Sequence, residues 1–177
     1  GLPWTVVRPP IVYGPHDRDL FQVFQAAARG FIPVAGSPDR RYATIFAPDL
    51  ADSLVRVLET PATRGGRYFV ASPPDPAYRE IAGAIAAAVG RPLRLLRVPP
   101  LGARLLAAGG SLLGLLRRRP LVLTLAKLPE ILAPGWSCSS EALDALIGRS
   151  GPTDFAAGAR PTAARDRTAG WLPSTRS

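Results

Sequence analysis

Methionine is absent from the 177 residues. Translation starts on methionine, so the reading expects these residues to be a piece of a longer product. Cysteine occurs once, at Cys138, and histidine once, at His16. One cysteine excludes a disulfide framework within the chain and a multi-cysteine zinc site. One histidine excludes a His-rich metal site, and no metal ligand set is expected. Lysine also occurs once, at Lys127; the remaining cations are arginines. Acidic residues are missing from Ile81 to Pro129, a stretch that carries seven arginines and Lys127. Aromatic residues make up only 7% of the chain, and none falls in that stretch. Single-stranded nucleic acid needs aromatic platforms for its bases. A net charge of +9 therefore does not by itself point to a specific nucleic-acid partner.

What is present is enough apolar material for a core. Hydrophobic residues are 47% of the sequence, which excludes wholesale disorder. The longest apolar run, Leu101 to Leu116, contains Arg104 and ends in Arg117-Arg118-Arg119. It is shorter than the roughly 20 residues needed to span a bilayer. The expectation is a buried helix with a basic end. Contact of residues 101–119 with an anionic membrane surface is the alternative.

The apolar pattern alternates between strand and helix. Trp4 to Arg8 is a β-branched run stopped by Pro9-Pro10, hence a buried strand feeding a loop. Asp17 or Asp19 caps a helix to Arg29, closed by Gly30. Strands follow at 32–34 and 41–46. Asp49 is read as the N-cap of a helix through Leu58. A Gly65-Gly66 turn then leads to a strand at 67–71, a loop at 73–76, a helix at 78–89 closed by Gly90, and a strand at 93–98. From Leu101 the chain reads as helical at 101–116, 124–132, 139–147 and weakly at 161–169, with a loop at 149–161 and a frayed tail at 173–177. Strand–helix alternation argues an α/β fold with a partly parallel sheet. So few strands leave the sheet an unpaired edge.

Five stretches, in order, carry a resemblance. They are RPPIVYGPHD (8–17), FAPDLADSLVRVLE (46–59), GRYFVASPPDPAYREIAGAIAAAVGRPLRLLRVPP (66–100), WSCSSEALDALIG (136–148) and AGWL (169–172). The sequence resembles the C-terminal half of extended short-chain dehydrogenases/reductases, the NAD-dependent epimerase/dehydratase family. The resemblance implies the late strands of a Rossmann-type parallel sheet plus a mostly helical C-terminal substrate region, incomplete without an N-terminal half. It divides the chain into residues 1–100, 101–172 and the tail. It implies a cytoplasmic oxidoreductase or epimerase, using NAD or NADP on a carbonyl or hydroxyl of a small-molecule substrate.

The family's Gly-rich turn and its Tyr and Lys four residues apart have no counterpart here; Leu123 stands four residues before Lys127. No catalytic residue is therefore assigned, and the chain alone is expected to be inactive. By the resemblance, Pro9, Pro10, Ile11 and Val12 line the nicotinamide end of the cofactor. Arg41 and Tyr42 face the substrate. Sugar-nucleotide members carry a diphosphate-gripping Arg where this chain has Tyr42, and often Asn where it has Ile11. Both departures lean toward a more apolar substrate, such as a hydroxysteroid-like compound or a ketone. A non-catalytic module that kept the fold, and a basic membrane-surface binder, are the rival expectations.

Other chemistry-bearing residues have plainer readings. His16 is expected in a solvated loop, and Cys138 as a small buried side chain. Ser139 and Ser140 are expected to cap a helix. Asp49 and Asp52 suit a helix first turn, and Gly65-Gly66 is too short to cradle a phosphate.

Overall fold

The computed structural model describes residues 3–99, 101–102, 133 and 135–173. Strand β1 (Val6–Arg8) ends where Pro9 and Pro10 remove two backbone donors in succession. It pairs in parallel with β5 (Arg67–Phe69), Val6 opposite Arg67 and Arg8 opposite Phe69. Strand β2 (Ile11–Tyr13) pairs in parallel with β4 (Thr44–Phe46), and β3 (Ile32–Ala35) with β6 (Leu95–Val98). Among the described residues the strands form three two-stranded parallel sheets rather than one.

Parallel neighbours need long crossovers, and helices supply them. Helix α1 (Arg18–Ala28) starts at Asp17, whose carboxylate accepts from the backbone N–H of Asp19 and Leu20. Helix α2 is Ala47–Glu59 and α3 is Tyr78–Val89; α3 stops at Gly90, whose φ of 75° is the left-handed conformation glycine tolerates. Helices α4 (Glu141–Ile147) and α5 (Phe155–Thr168) follow. The main core lies between α1, α3 and α5, with Phe24, Ile85 and Ala159 buried around Tyr13 and Ile32. Small residues Ala82, Ala86, Ala159 and Ala163 let α3 and α5 approach closely. A smaller core joins Ile45, Val57, Val70 and Leu143.

The parallel α/β reading holds, and several local expectations change. Residues 11–13, expected in a loop, are a strand, because Ile11, Val12 and Tyr13 find the register of β4. The expected loop at 149–161 is largely helix: α5 begins at Phe155, where Asp154 accepts from the N–H of Ala157 at 2.7 Å. Pro161 reads as a helix start because its fixed φ suits a first turn, yet it sits inside α5. Asp49 is not an N-cap. Helix α2 already starts at Ala47, and the Asp49 carboxylate turns outward to accept from the N–H and hydroxyl of Thr153, at 2.8 and 2.9 Å. Ser140 occupies the N-cap of α4 without a side-chain cap; its hydroxyl donates to Asp144, while Ser139 accepts from the N–H of Glu141. The helices expected at 101–116 and 124–132, and the surface contact at 101–119, lie outside the described residues but for 101–102.

Candidate functional site

Parallel strands bring their carboxyl ends to one edge, which is where α/β folds place ligands. The carboxyl end of the β1–β5 pair abuts the amino end of the β2–β4 pair. Pro9 and Pro10 make the step between them, and the N–H of Ile11 donates to the carbonyl of Ala43. Pro9 and Val12 are exposed, and Pro10 and Ile11 are half-buried. After β5 the chain crosses the same edge: Val70 N–H donates to Arg8 O at 3.3 Å and Ser72 N–H to Thr44 O at 2.8 Å. The hydroxyls of Thr44 and Ser72 are buried and without a partner among the described residues. Gly151 lies against this crossing; a side chain there would meet Ala71 O at 2.6 Å and Ser72 Cα at 2.7 Å.

The substrate-facing candidates sit one strand away. Residues 40–43 run between two neighbours: Tyr42 N–H donates to Pro76 O at 3.0 Å and Ala43 N–H to Trp136 O at 2.6 Å. A one-residue step along extended backbone reverses the face. Arg41 is accordingly exposed, its guanidinium donating to Asp75 O at 2.7 Å. Tyr42 is half-buried, its ring edge-on to Tyr78 at 6.3 Å and to Trp136 at 6.2 Å. Aromatic rings favour this edge-to-face arrangement. The Tyr78 hydroxyl donates to Pro33 O at 2.6 Å, and burial, then the Tyr42 phenol, pushes its pKa up to about 12. The structure thus sets Ile11 beside Ala43, the residue after Tyr42, but keeps Arg41 and Tyr42 on opposite faces.

Sequence reasoning missed Tyr78, Trp136, Thr44 and Ser72. The signal for the first two was scarcity: three of the chain's few aromatics meet at one point. Nothing in the sequence marked the two hydroxyls. The remaining candidates take structural roles. His16 is exposed and accepts from Arg165 Nε at 3.2 Å. Cys138 is half-buried, and burial, then Asp75, raises its pKa, which disfavours the reactive thiolate. Asp52 pairs with Arg56 one helical turn on, at 2.9 Å. Among the described residues no three His, Cys, Asp or Glu side chains converge, and no helix is long and apolar enough to cross a membrane.

Pro9 and Val12 leave apolar surface exposed beside the step between β1 and β2, which the two fixed proline φ angles stiffen. Among the described residues no glycine-rich turn opens a helix beside it, so nothing here would hold a dinucleotide's pyrophosphate.

No family model matches the chain. A ceramide reductase from Caulobacter vibrioides is 32% identical over 170 residues, which is 95% of this chain and 52% of that protein. Solved structures align along nearly the whole chain. An epimerase from Methanothermobacter thermautotrophicus superposes with a TM-score of 0.67 at 14% identity, over 94% of this chain and 44% of its own. UDP-glucuronic acid 4-epimerase from Bacillus cereus, in complex with UDP-glucuronic acid and NAD, gives 0.64 at 11%, over 93% and 45%. RMD from Pseudomonas aeruginosa, complexed with NADPH, gives 0.63 at 16%, over 93% and 48%. The chain has the C-terminal half of the extended short-chain dehydrogenase/reductase fold. It spans about half the length of the curated relative and of these structures.

Proposed function

We propose that the chain is the substrate-facing part of an NAD(P)-dependent reductase acting on a carbonyl or hydroxyl group carried by an apolar, lipid-like molecule. One observation carries this reading: the 32% identity with a ceramide reductase extends over 170 residues, 95% of this chain. The aromatic cluster supports it. A diphosphate needs a guanidinium fork in the site, and the position where one would serve is filled by the Tyr42 ring, packed between Tyr78 and Trp136. Arg41 is exposed and engaged with Asp75 O.

In this reading each residue has a physical task. Pro9 and Val12 form a rigid lip that orients the nicotinamide face and excludes water from it. Bound NAD(P) supplies or accepts the hydride. Tyr42 and Trp136 present apolar ring surface to the substrate body, while Tyr78, held by Pro33 O, keeps Tyr42 in place. The proton-transfer pair is assigned to sequence other than these 177 residues, so the chain alone is inactive.

The test is to place the chain behind the first half of the Caulobacter ceramide reductase and follow NAD(P)H consumption. A ceramide-type ketone and a UDP-sugar are offered in parallel. Turnover of the lipid ketone alone supports the reading; turnover of the UDP-sugar alone overturns its substrate class. Hydride transfer by the 177 residues unaided overturns the division of labour. Tyr42→Ala is expected to raise KM for the lipid ketone about tenfold or more, given about 1.5–3 kcal/mol for a buried large apolar side chain.

A further inference from the structure

A cleft of about 630 Å³, beside the Tyr42–Tyr78 cluster, is lined by the turn Gly36–Asp39, by Arg79 of α3, and by Leu93, Leu95 and Arg97 at and before β6. It is a surface cleft open to solvent rather than an enclosed cavity. Its chemistry is split. Leu93 and Leu95 form an apolar floor, with Leu93 42% exposed. Arg79 and Arg97 supply two guanidinium groups over it.

The two arginines differ. Arg79 is ion-paired with Asp39, so its charge is already met. Arg97 has no hydrogen bond or ion pair among the described residues, and it is exposed. Its position is nevertheless fixed, because β6 holds it opposite Val34 in a parallel ladder. The cleft therefore carries one more positive charge than negative, placed at the end of an apolar floor. Asp39, the acid in the lining, is already paired with Arg79. A planar, permanently charged fork on a rigid strand suits an oxyanion held bidentately.

We propose that this cleft binds an amphiphile with an oxyanion head, the head on Arg97 and the start of an apolar chain on Leu93 and Leu95. The inference does not rest on the reductase reading, because it needs neither cofactor nor hydride transfer.

The experiment is equilibrium dialysis of the 177-residue chain against monododecyl phosphate kept below its micelle concentration, with dodecanoate, dodecanol and inorganic phosphate as comparisons. Saturable binding of one molecule per chain is expected for the alkyl oxyanions. Dodecanol and inorganic phosphate, each offering half of the contact, should bind at least tenfold more weakly. Phosphate against carboxylate identifies the head group. Arg97→Gln should weaken binding about tenfold or more, the scale of one hydrogen bond to a charged group, and Arg97→Lys less. Arg94→Gln changes a nearby exposed cation that does not line the cleft and should leave binding unchanged. Circular dichroism of each variant checks that it is folded. Non-saturable binding, equal binding by Arg97→Gln, or equal losses in the Arg94 and Arg97 variants would overturn the proposal, showing diffuse attraction to a chain of charge +9.

Discussion

At the scale of single residues, polar side chains mostly hold loops in place. Asp49 is an instance: its carboxylate accepts two hydrogen bonds from Thr153 and so ties the 150–154 segment to the start of α2. Asp49→Ala should lower stability by about 1–3 kcal/mol, the usual scale for hydrogen bonds to a charged group. Urea unfolding measures the loss, and an unchanged midpoint would rule the tie out. Tyr78 gives a pH signature. Burial is the main cause that lifts its folded pKa to about 12, from an ordinary value near 10. Below pH 10 both states keep the phenolic proton and stability is flat in this group. Between about 10 and 12 the unfolded chain loses its proton first, so stability falls with rising pH. Tyr78→Phe should flatten that part of the curve. Tyr42 and Arg41 show what a residue-level reading can reach: neighbours in sequence go to opposite faces of extended backbone, so a one-residue slip from a family pattern is a change of chemistry.

At the scale of elements, packing distance decides what the sequence only permits. Helix α5 lies against β2 and β4 through Gly158. A methyl group there would press on the Tyr13 hydroxyl and meet Phe46 Cδ2 at 2.9 Å. In an isolated helix Gly→Ala is worth up to about 1 kcal/mol of stabilisation. Here overpacking of about 1–3 kcal/mol opposes it, so Gly158→Ala should lower the melting temperature rather than raise it. Thermal unfolding by circular dichroism distinguishes the two signs. Arg56 joins elements as well: its guanidinium donates to the carbonyls of Ile147 at 2.8 Å and Arg149 at 3.0 Å, capping the end of α4 from α2. Helix starts such as Asp17 were legible because their signal is local. The extent of α5 was not, because a proline at position 161 looks the same at a helix start as inside a helix held by tertiary packing.

For the whole molecule, the outward face of the β1–β5 pair carries Val6 and Phe69 beside the exposed Arg8 and Arg67. Val6 and Phe69 are 37% and 47% exposed there, with Trp4 49% exposed nearby and Leu58 of α2 82% exposed. Apolar groups presented this way favour association. The purified 177-residue chain should therefore self-associate, its weight-average mass in sedimentation rising with concentration. A Phe69→Lys, Leu58→Glu double variant should stay at the mass of one chain. A wild-type chain that remains monomeric at high concentration would contradict this.

The α/β class, the parallel crossovers and most helix ends are local properties of the chain. These follow from hydrophobic period, caps and proline or glycine stops, all set within a few residues of chain. Tertiary structure alone decided that residues 11–13 are a strand, because a three-residue strand exists only when β4 supplies its hydrogen bonds. It also decided that Asp49 reaches Thr153, that Tyr42, Tyr78 and Trp136 share one cluster, and that Arg97 meets Arg79 across a cleft. Each of these joins residues 18 or more positions apart, and such contacts are fixed by how crossovers stack elements on the sheets rather than by any local preference of the chain.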